Sequence, residues 1–164
     1  MLVTVEKVKN VVDKGFDKVE VCEVDGQSVV VGKGEFKDGD LCVYFRAGTL
    51  IPHPFIRSRY IKKYASIVRH KTGESSFRIK SKKFRNGDVV AESNGVAFTL
   101  RQFYSMMRVL NISAVLTSSD GRLSRKKYHA RERDDLSELV GAMQYRQKTR
   151  YITKAPELIV LGTM

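Results

Sequence analysis

Cysteine is scarce in this chain, acidic residues nearly vanish from one fifth of it, and no apolar run is long. Each shortage excludes something. Two cysteines, Cys22 and Cys42, cannot build a disulfide framework. Each lies in an apolar run where a small buried core residue is the ordinary role. No stretch approaches the roughly 18 consecutive apolar residues of a membrane span. Glu6, Lys7 and Lys9 also interrupt the early valines where a signal peptide needs an unbroken apolar core. The expectation is an intracellular, cytoplasmic protein without membrane contact. Histidine is equally sparse: His53, His70 and His129 are scattered, and no His-x-x-x-His or Cys-x-x-Cys spacing suggests zinc. Phosphate-cradling loops of the Gly-x-x-x-x-Gly-Lys-Ser/Thr or Gly-x-Gly-x-x-Gly kind are missing, and Gly32-Lys33-Gly34 is too short for that work. Asp134, Asp135 and Glu138 offer carboxylates to a divalent ion, but their commoner role is to complement a helix N-terminus. No cofactor and no metal are implied.

What is present is charge, unevenly placed. The 164 residues carry a net charge of +12. Residues 1–50 hold 7 Lys/Arg against 9 Asp/Glu, residues 51–85 hold 11 against 1, and residues 86–164 hold 12 against 8. A localised cationic field attracts polyanions through counterion release, so nucleic acid is the default partner.

The length suits one domain, or a small domain with an extension. Leu2–Val12 alternates in part and predicts a first strand. Val19–Val24 and Gln27–Val31 are β-branched runs separated by Asp25-Gly26, a strong hairpin signal. After the turns at Gly32-Lys33-Gly34 and Asp38-Gly39, Leu41–Phe45 predicts another strand. In Val19–Val24 two valines share one face while Cys22 and Val24 take the other, so a bulge is expected there. Short strands with glycine-bearing turns argue for a small β-barrel or sandwich rather than a βαβ fold. Ala47–Pro54 reads as a loop. Phe55–His70 carries apolar positions 56, 60, 64 and 67 at helical spacing, with Arg57, Arg59, Lys62 and Lys63 mostly on the other side. Phe77–Phe84 reads as one strand with Phe77 and Ile79 inward and Arg78, Lys80 and Lys82 on a cationic outer face. Strands follow at Val89–Glu92 and Val96–Phe98. Thr99 is placed to cap a helix over Leu100–Leu110, with Leu100, Phe103, Met107 and Leu110 as its core stripe. Further on, a strand is expected at Ile112–Thr117, a turn at Ser118–Gly121 and a polar connection over Arg122–Asp135. Leu136–Gln147 predicts a helix, and Thr149–Thr153 and Glu157–Leu161 two last strands. The units expected are 1–55 for the core strands, 56–98 for a basic helix and strand, and 99–164 for an α/β extension.

Residues from Val3 to Pro52 resemble the N-terminal OB-fold module of the Deinococcus-type RNA ligases, ATP-dependent nick-sealing enzymes. The likeness lies in Asp17-Lys18-Val19-Glu20-Val21, in Val29–Phe36, in Gly39–Phe45 and in Leu50-Ile51-Pro52. It extends loosely to Phe77–Arg85, similar to the basic strand leading into the ligase core. The resemblance implies a mainly β, α+β chain: a small OB-like β-barrel in the N-terminal half with an α/β C-terminal extension. The chain departs from the ligase pattern twice. Arg46-Ala47-Gly48-Thr49 replaces acidic residues, which should make the rim more cationic. Ser118-Ser119-Asp120-Gly121 has serine where the nucleophilic lysine of Lys-x-Asp-Gly would stand, and the 80 residues after Phe84 are too few for an adenylation domain.

The resulting expectation is a non-catalytic OB-fold protein that binds RNA or single-stranded DNA. Its binding residues would be Arg57, Arg59, Lys62 and Lys63, then Arg78, Lys80, Lys82, Lys83 and Arg85. Tyr44 and Tyr60 are the rings expected to be partly exposed for base stacking, ahead of Phe45 and Phe77. Two alternatives stand beside it: an accessory module that acts with a separate ligase chain, and a protein-interaction module that meets an acidic partner.

Overall fold

The structure, a computed structural model, describes residues 1–52, 64–109 and 130–144. The valine alternation of β1 (Val3–Val12), β2 (Val19–Val24), β3 (Gln27–Gly32) and β4 (Leu41–Phe45) builds the N-terminal sheet as expected. Asp25 and Gly26 both take positive φ, 50° and 75°, the type I′ turn that matches strand twist in a two-residue hairpin. Seven further strands follow among the described residues. They are β5 (Thr49–Pro52), β6 (Ala65–Arg69), β7 (Ser75–Ile79), β8 (Ser81–Asn86), β9 (Val89–Asn94), β10 (Val96–Thr99) and β11 (Met143–Gln144). The helices among the described residues are α1 (Leu100–Val109) and α2 (Ser137–Val140).

A five-stranded sheet runs in the order β10-β4-β1-β2-β3. Its ends approach each other because β9, which leads into β10, meets β3. Val30 N–H donates to Ser93 Oγ (3.0 Å) and Ser28 Oγ–H to the Glu92 carbonyl (2.8 Å). Over β10, β4 and the first half of β1 both faces of this curled sheet are buried, so alternation there separates two cores rather than core from water. Val8, Cys22, Val24, Val29, Val31, Cys42, Tyr44 and Ala97 fill the inside of the curl. Val3, Val5, Val43, Phe45, Val96 and Phe98 face the other way, where the four-stranded sheet β11-β5-β7-β6 and α1 cover them. Helix α1 is held by a capping box: Gln102 N–H donates to Thr99 Oγ1 (3.0 Å) and Thr99 N–H to Gln102 Oε1 (2.9 Å). Its Phe103, Met106 and Met107 are buried.

Five expectations need correction. The bulge lies in β1, between Lys9 and Val12, and not in β2. The segment expected as a loop contains β5, because Leu50 and Ile51 find partners at Arg78 and Phe77 and become buried. Ala65–Arg69, the end of the expected helix, is a strand: its Ile67-Val68 pair is β-branched and joins β7 through the Gly73 turn. Residues 53–63 lie outside the described residues. The single strand expected over Phe77–Phe84 is two, broken at Lys80, and the halves take different partners. The helix expected over Leu136–Gln147 stops after α2, where Gly141 takes a left-handed φ of 69° and the chain turns to pair Met143 and Gln144 with β5. The elements expected at Ile112–Thr117, Ser118–Gly121, Thr149–Thr153 and Glu157–Leu161 lie outside the described residues, as do Leu110, His53 and His129.

The segment before α2 adds a piece of sheet to β1. Arg133 N–H donates to the Val5 carbonyl, Val5 N–H to Asp134, and Leu136 N–H to Val3. The strand is thus shared: Val3–Lys7 pairs with β4 on one side, Val3–Val5 meets residues 133–136 on the other, and Val8–Val12 pairs with β2.

Candidate nucleic-acid interface

The first four barrel strands are β1 to β4, and the chain that closes the curl is β9–β10. The basic segment is therefore an insertion between the fourth and fifth strands of a five-stranded barrel. At its end, β8 pairs with β9 in a two-stranded ribbon, with Lys83 opposite Glu92, Phe84 opposite Ala91 and Arg85 opposite Val90. Alternation gives this ribbon two unlike faces. Phe84 and Ala91 turn toward the barrel and pack with Phe16, Val19, Val21 and Val30. Lys83 and Arg85 lie on the opposite, exposed face, two residues and so about 7 Å apart along a rigid pleat.

The remaining expected cations divide. Arg78 is half-buried on β7, across from Leu50 and Ser66. Lys80 is exposed at the break between β7 and β8, where its N–H donates to the Tyr64 carbonyl (2.9 Å). Lys82 is on the Phe84 side of the ribbon, its ammonium 5.1 Å from the Phe84 ring centre and 5.9 Å from that of Tyr64. The outer cationic row is thus Lys83 and Arg85, not Arg78, Lys80 and Lys82 together, because the break at Lys80 resets the alternation. Arg57, Arg59, Tyr60, Lys62 and Lys63 lie outside the described residues.

Tyr44 is the plain miss. It is 1% exposed, inside the curl, and its hydroxyl donates to the Asn94 carbonyl. Burial pushes its phenol up to about 12. No base can stack on it. Alternation correctly opposes Tyr44 to Phe45 but cannot mark an outer face where both faces are buried. Tyr64, half-buried beside Lys82, is the aromatic that accompanies a cation here, and burial raises its pKa as well.

Arg46 does not make the rim more cationic. Its guanidinium bonds Glu6 Oε2 (3.3 Å), Asp25 Oδ2 (2.6 Å) and Thr4 Oγ1 (2.9 Å) and lies 5.0 Å from the Tyr44 ring centre. Arg133 Nη1 reaches both Glu6 oxygens (3.0 and 2.9 Å) and Asp25 Oδ1 (3.2 Å). The two cations and two anions form a closed set at one end of the barrel. Hydrogen bonding from Arg46 holds the Asp25 carboxyl below its ordinary value. Nothing local in the sequence marks Arg133 for this role; only the pairing of residues 133–136 with β1 delivers it.

The other candidates take structural roles. Cys22 and Cys42 are buried, and burial lifts both thiols to about 12, far from a reactive thiolate. Asp135 Oδ1 accepts from Ser137 N–H (3.0 Å) and Oγ–H (2.6 Å), ordering the entry to α2. Among the described residues no three His, Cys, Asp or Glu side chains are grouped to hold a metal, and no helix is long and apolar enough to cross a membrane.

A family model described as an OB-fold domain matches residues 2–100. No curated protein matches the chain. Among solved structures, the Naegleria gruberi RNA ligase with PPi superposes with a TM-score of 0.61 at 21% identity, covering 92% of this chain and 36% of the ligase. A mutant of the same ligase with ATP and Mn gives 0.59 at 22%, covering 89% and 36%. An apo mutant gives 0.59 at 23%, covering 88% and 35%. At such identity the likeness is one of fold, and the chain spans about a third of the length of the ligases it matches.

Proposed function

Because the chain belongs to the OB-fold domain family, we propose that it is a non-catalytic module that binds RNA or single-stranded DNA along its basic insertion. One observation carries this reading. The segment with 11 Lys/Arg against 1 Asp/Glu joins the fourth barrel strand to the fifth, and oligonucleotide-binding OB barrels use that loop beside the face of strands 2 and 3. Lys83 and Arg85 present two cations from a rigid ribbon. Lys80 is exposed at the break before the ribbon, and Arg57, Arg59, Lys62 and Lys63 belong to the same insertion. Phosphate contacts dominate such binding, and stacking adds to it.

The test is a fluorescence-anisotropy titration of a single-stranded oligonucleotide at 50 and 200 mM salt. Neutralising about five phosphates gives a slope near −3.5 in log K against log salt, or roughly a hundredfold loss over that range. Lys83→Glu with Arg85→Glu should weaken binding at 50 mM and flatten the slope by about 1.4. The pair is chosen because neither residue belongs to the Phe16–Phe84 packing. Undetectable binding at low salt, or indifference to the double substitution, overturns the proposal.

A second reading is favoured by the match of most of this chain to a third of an RNA ligase: the module serves a catalytic domain carried on another chain. Serine at Ser118 in place of the nucleophilic lysine predicts that labelled ATP leaves no lysine-linked adenylate on this chain alone. A labelled band would refute the non-catalytic assignment.

A further inference from the structure

Register fixes which residues of β2 and β3 point away from the barrel. Val19 pairs with Gly32, Val21 with Val30 and Glu23 with Ser28. Cys22, Val24, Val29 and Val31 fill the inside of the curl, so alternation turns Val19, Val21 and Glu23 of β2 and Ser28, Val30 and Gly32 of β3 outward. Oligonucleotide-binding OB barrels lay their ligand on this face. None of its six residues here is a cation or a ring, and its one charge is the carboxylate of Glu23. A polyanion finds nothing on it to neutralise.

The chain covers much of this face itself. Phe84 and Ala91, on the inner side of the β8–β9 ribbon, pack with Phe16, Val19, Val21 and Val30, and Val30 is left 1% exposed. Both ends of the ribbon are tied down. At its tip, Asn86 Nδ2–H donates to the Gly15 carbonyl (2.8 Å). At its base, Val30 N–H donates to the buried Ser93 Oγ (3.0 Å), whose own hydrogen goes to the Gly95 carbonyl (2.8 Å). Ser28 Oγ–H bonds the Glu92 carbonyl beside them. Lifting the ribbon breaks these bonds and puts Phe16, Val30 and Ala91 into water. The ribbon is therefore a fixed part of the barrel wall.

We propose that the outer side of this ribbon, centred on Arg85, is the polynucleotide platform and takes the place of the strand 2 and 3 face, an inference that rests on the reading of the chain as a nucleic-acid-binding module. That side carries Lys83 and Arg85 on β8, with Glu92 and Val90 opposite them on β9, and all four are exposed. The two cations are not equal. Lys83 has a carboxylate directly across the ribbon, where Cβ atoms stand about 5 Å apart and opposite charges attract. A phosphate at Lys83 competes with Glu92 and is repelled by it. Arg85 faces Val90, 43% exposed, which competes for nothing and offers a sugar or base edge an apolar floor. A guanidinium also holds a phosphate through two parallel hydrogen bonds, where an ammonium acts as a point charge. The strongest contact is a phosphate on Arg85, with Lys83 secondary.

The experiment measures the affinity of a fluorescein-labelled uridine dodecamer by anisotropy at 100 mM salt, where a Debye length of about 10 Å screens distant charges. Arg85→Glu should weaken binding about tenfold, near the worth of one hydrogen bond to a charged group. Lys83→Glu should cost less, about threefold. Glu92→Gln keeps the main-chain carbonyl that holds Ser28 and should tighten binding about threefold, the scale of one cross-strand charge pair. Lys14, beside Val21 and Glu23 at the uncovered margin of the barrel face, should be replaceable by glutamate without loss of affinity. A last variant, Gln27→Cys with Asn94→Cys, uses two side chains that meet at 3.3 Å. A short bismaleimide then pins the ribbon to β3, while the native Cys22 and Cys42 are buried out of its reach. The bridged protein should bind as tightly as the unbridged one. Loss of binding on bridging, a Lys14→Glu effect as large as that of Arg85→Glu, or an unchanged affinity in Glu92→Gln overturns the platform and leaves the binding reading standing. Failure of the wild-type protein to bind the dodecamer overturns both.

Discussion

Replacing Glu6 with alanine tests the best-connected polar group of the barrel. Its side chain is 4% exposed and accepts from Thr4 Oγ1 (2.5 Å), Arg46 (3.3 Å) and Arg133 (2.9 Å). Removing one partner of a fully buried ion pair costs about 3–5 kcal/mol because the other charge is stranded. Here stranding is incomplete. Arg46 is 21% exposed and keeps Asp25 at 2.6 Å, and Arg133 is half-exposed. The expected loss is therefore smaller, about 2–3 kcal/mol, near the worth of one or two charge-assisted hydrogen bonds. For a chain of this size that lowers Tm by roughly 4–12 °C. With no tryptophan in the sequence, far-UV circular dichroism in urea is the suitable assay. The midpoint should fall with m unchanged. A loss under about 0.5 kcal/mol, the scale of an ordinary surface substitution, would refute the argument that this carboxylate works out of water.

Asp25→Asn keeps a residue that tolerates the positive φ of the turn while removing the charge. The folded-state carboxyl is depressed below 3.8, first by the Arg46 hydrogen bond, so its contribution is present above pH 3.8 and lost as pH falls through the lower folded value. The wild type's advantage over the variant should hold above pH 5 and shrink below 3.8; an advantage constant down to pH 2 would refute this. Gly95→Ala should cost about 3 kcal/mol or more, because a Cβ there runs into the Phe45 carbonyl at a φ of 106°; a wild-type Tm would contradict it. Thr99→Ala removes half of the α1 capping box and should cost about 1 kcal/mol by urea titration, whereas no change would mean that tertiary packing alone holds that helix end.

The features legible in the sequence are those decided by neighbours along the chain. Asp25-Gly26 dictates its hairpin because two adjacent residues must take positive φ, and Thr99 with Gln102 caps its helix across three residues. Where distant segments decide, local pattern misleads. Leu50 and Ile51 look like loop beside Pro52 until β7 supplies their partners. Ile67 and Val68 fit a helical stripe as well as a strand, and only pairing with Phe77 and Ser76 resolves them. The Leu136–Gln147 stripe is overruled by Gly141 and by the open edge of β5. At the candidate interface the overall charge pattern is informative, but which cations face outward depends on the break at Lys80. Arg46 loses its apparent availability to Glu6, 40 residues earlier in the chain.

The sharing of β1 between β4, β2 and residues 133–136 has a consequence for the order of events on the ribosome. The strand is made well ahead of the partner for its Val3–Val5 edge, which emerges more than 120 residues later. Until then the nascent barrel carries bare main-chain groups beside buried valines, the kind of edge that recruits other strands. Glu6 meanwhile lacks Arg133. Closing so long a loop is a late step in folding. Residues 133–136 therefore act as the seal on a barrel whose own strands were finished long before.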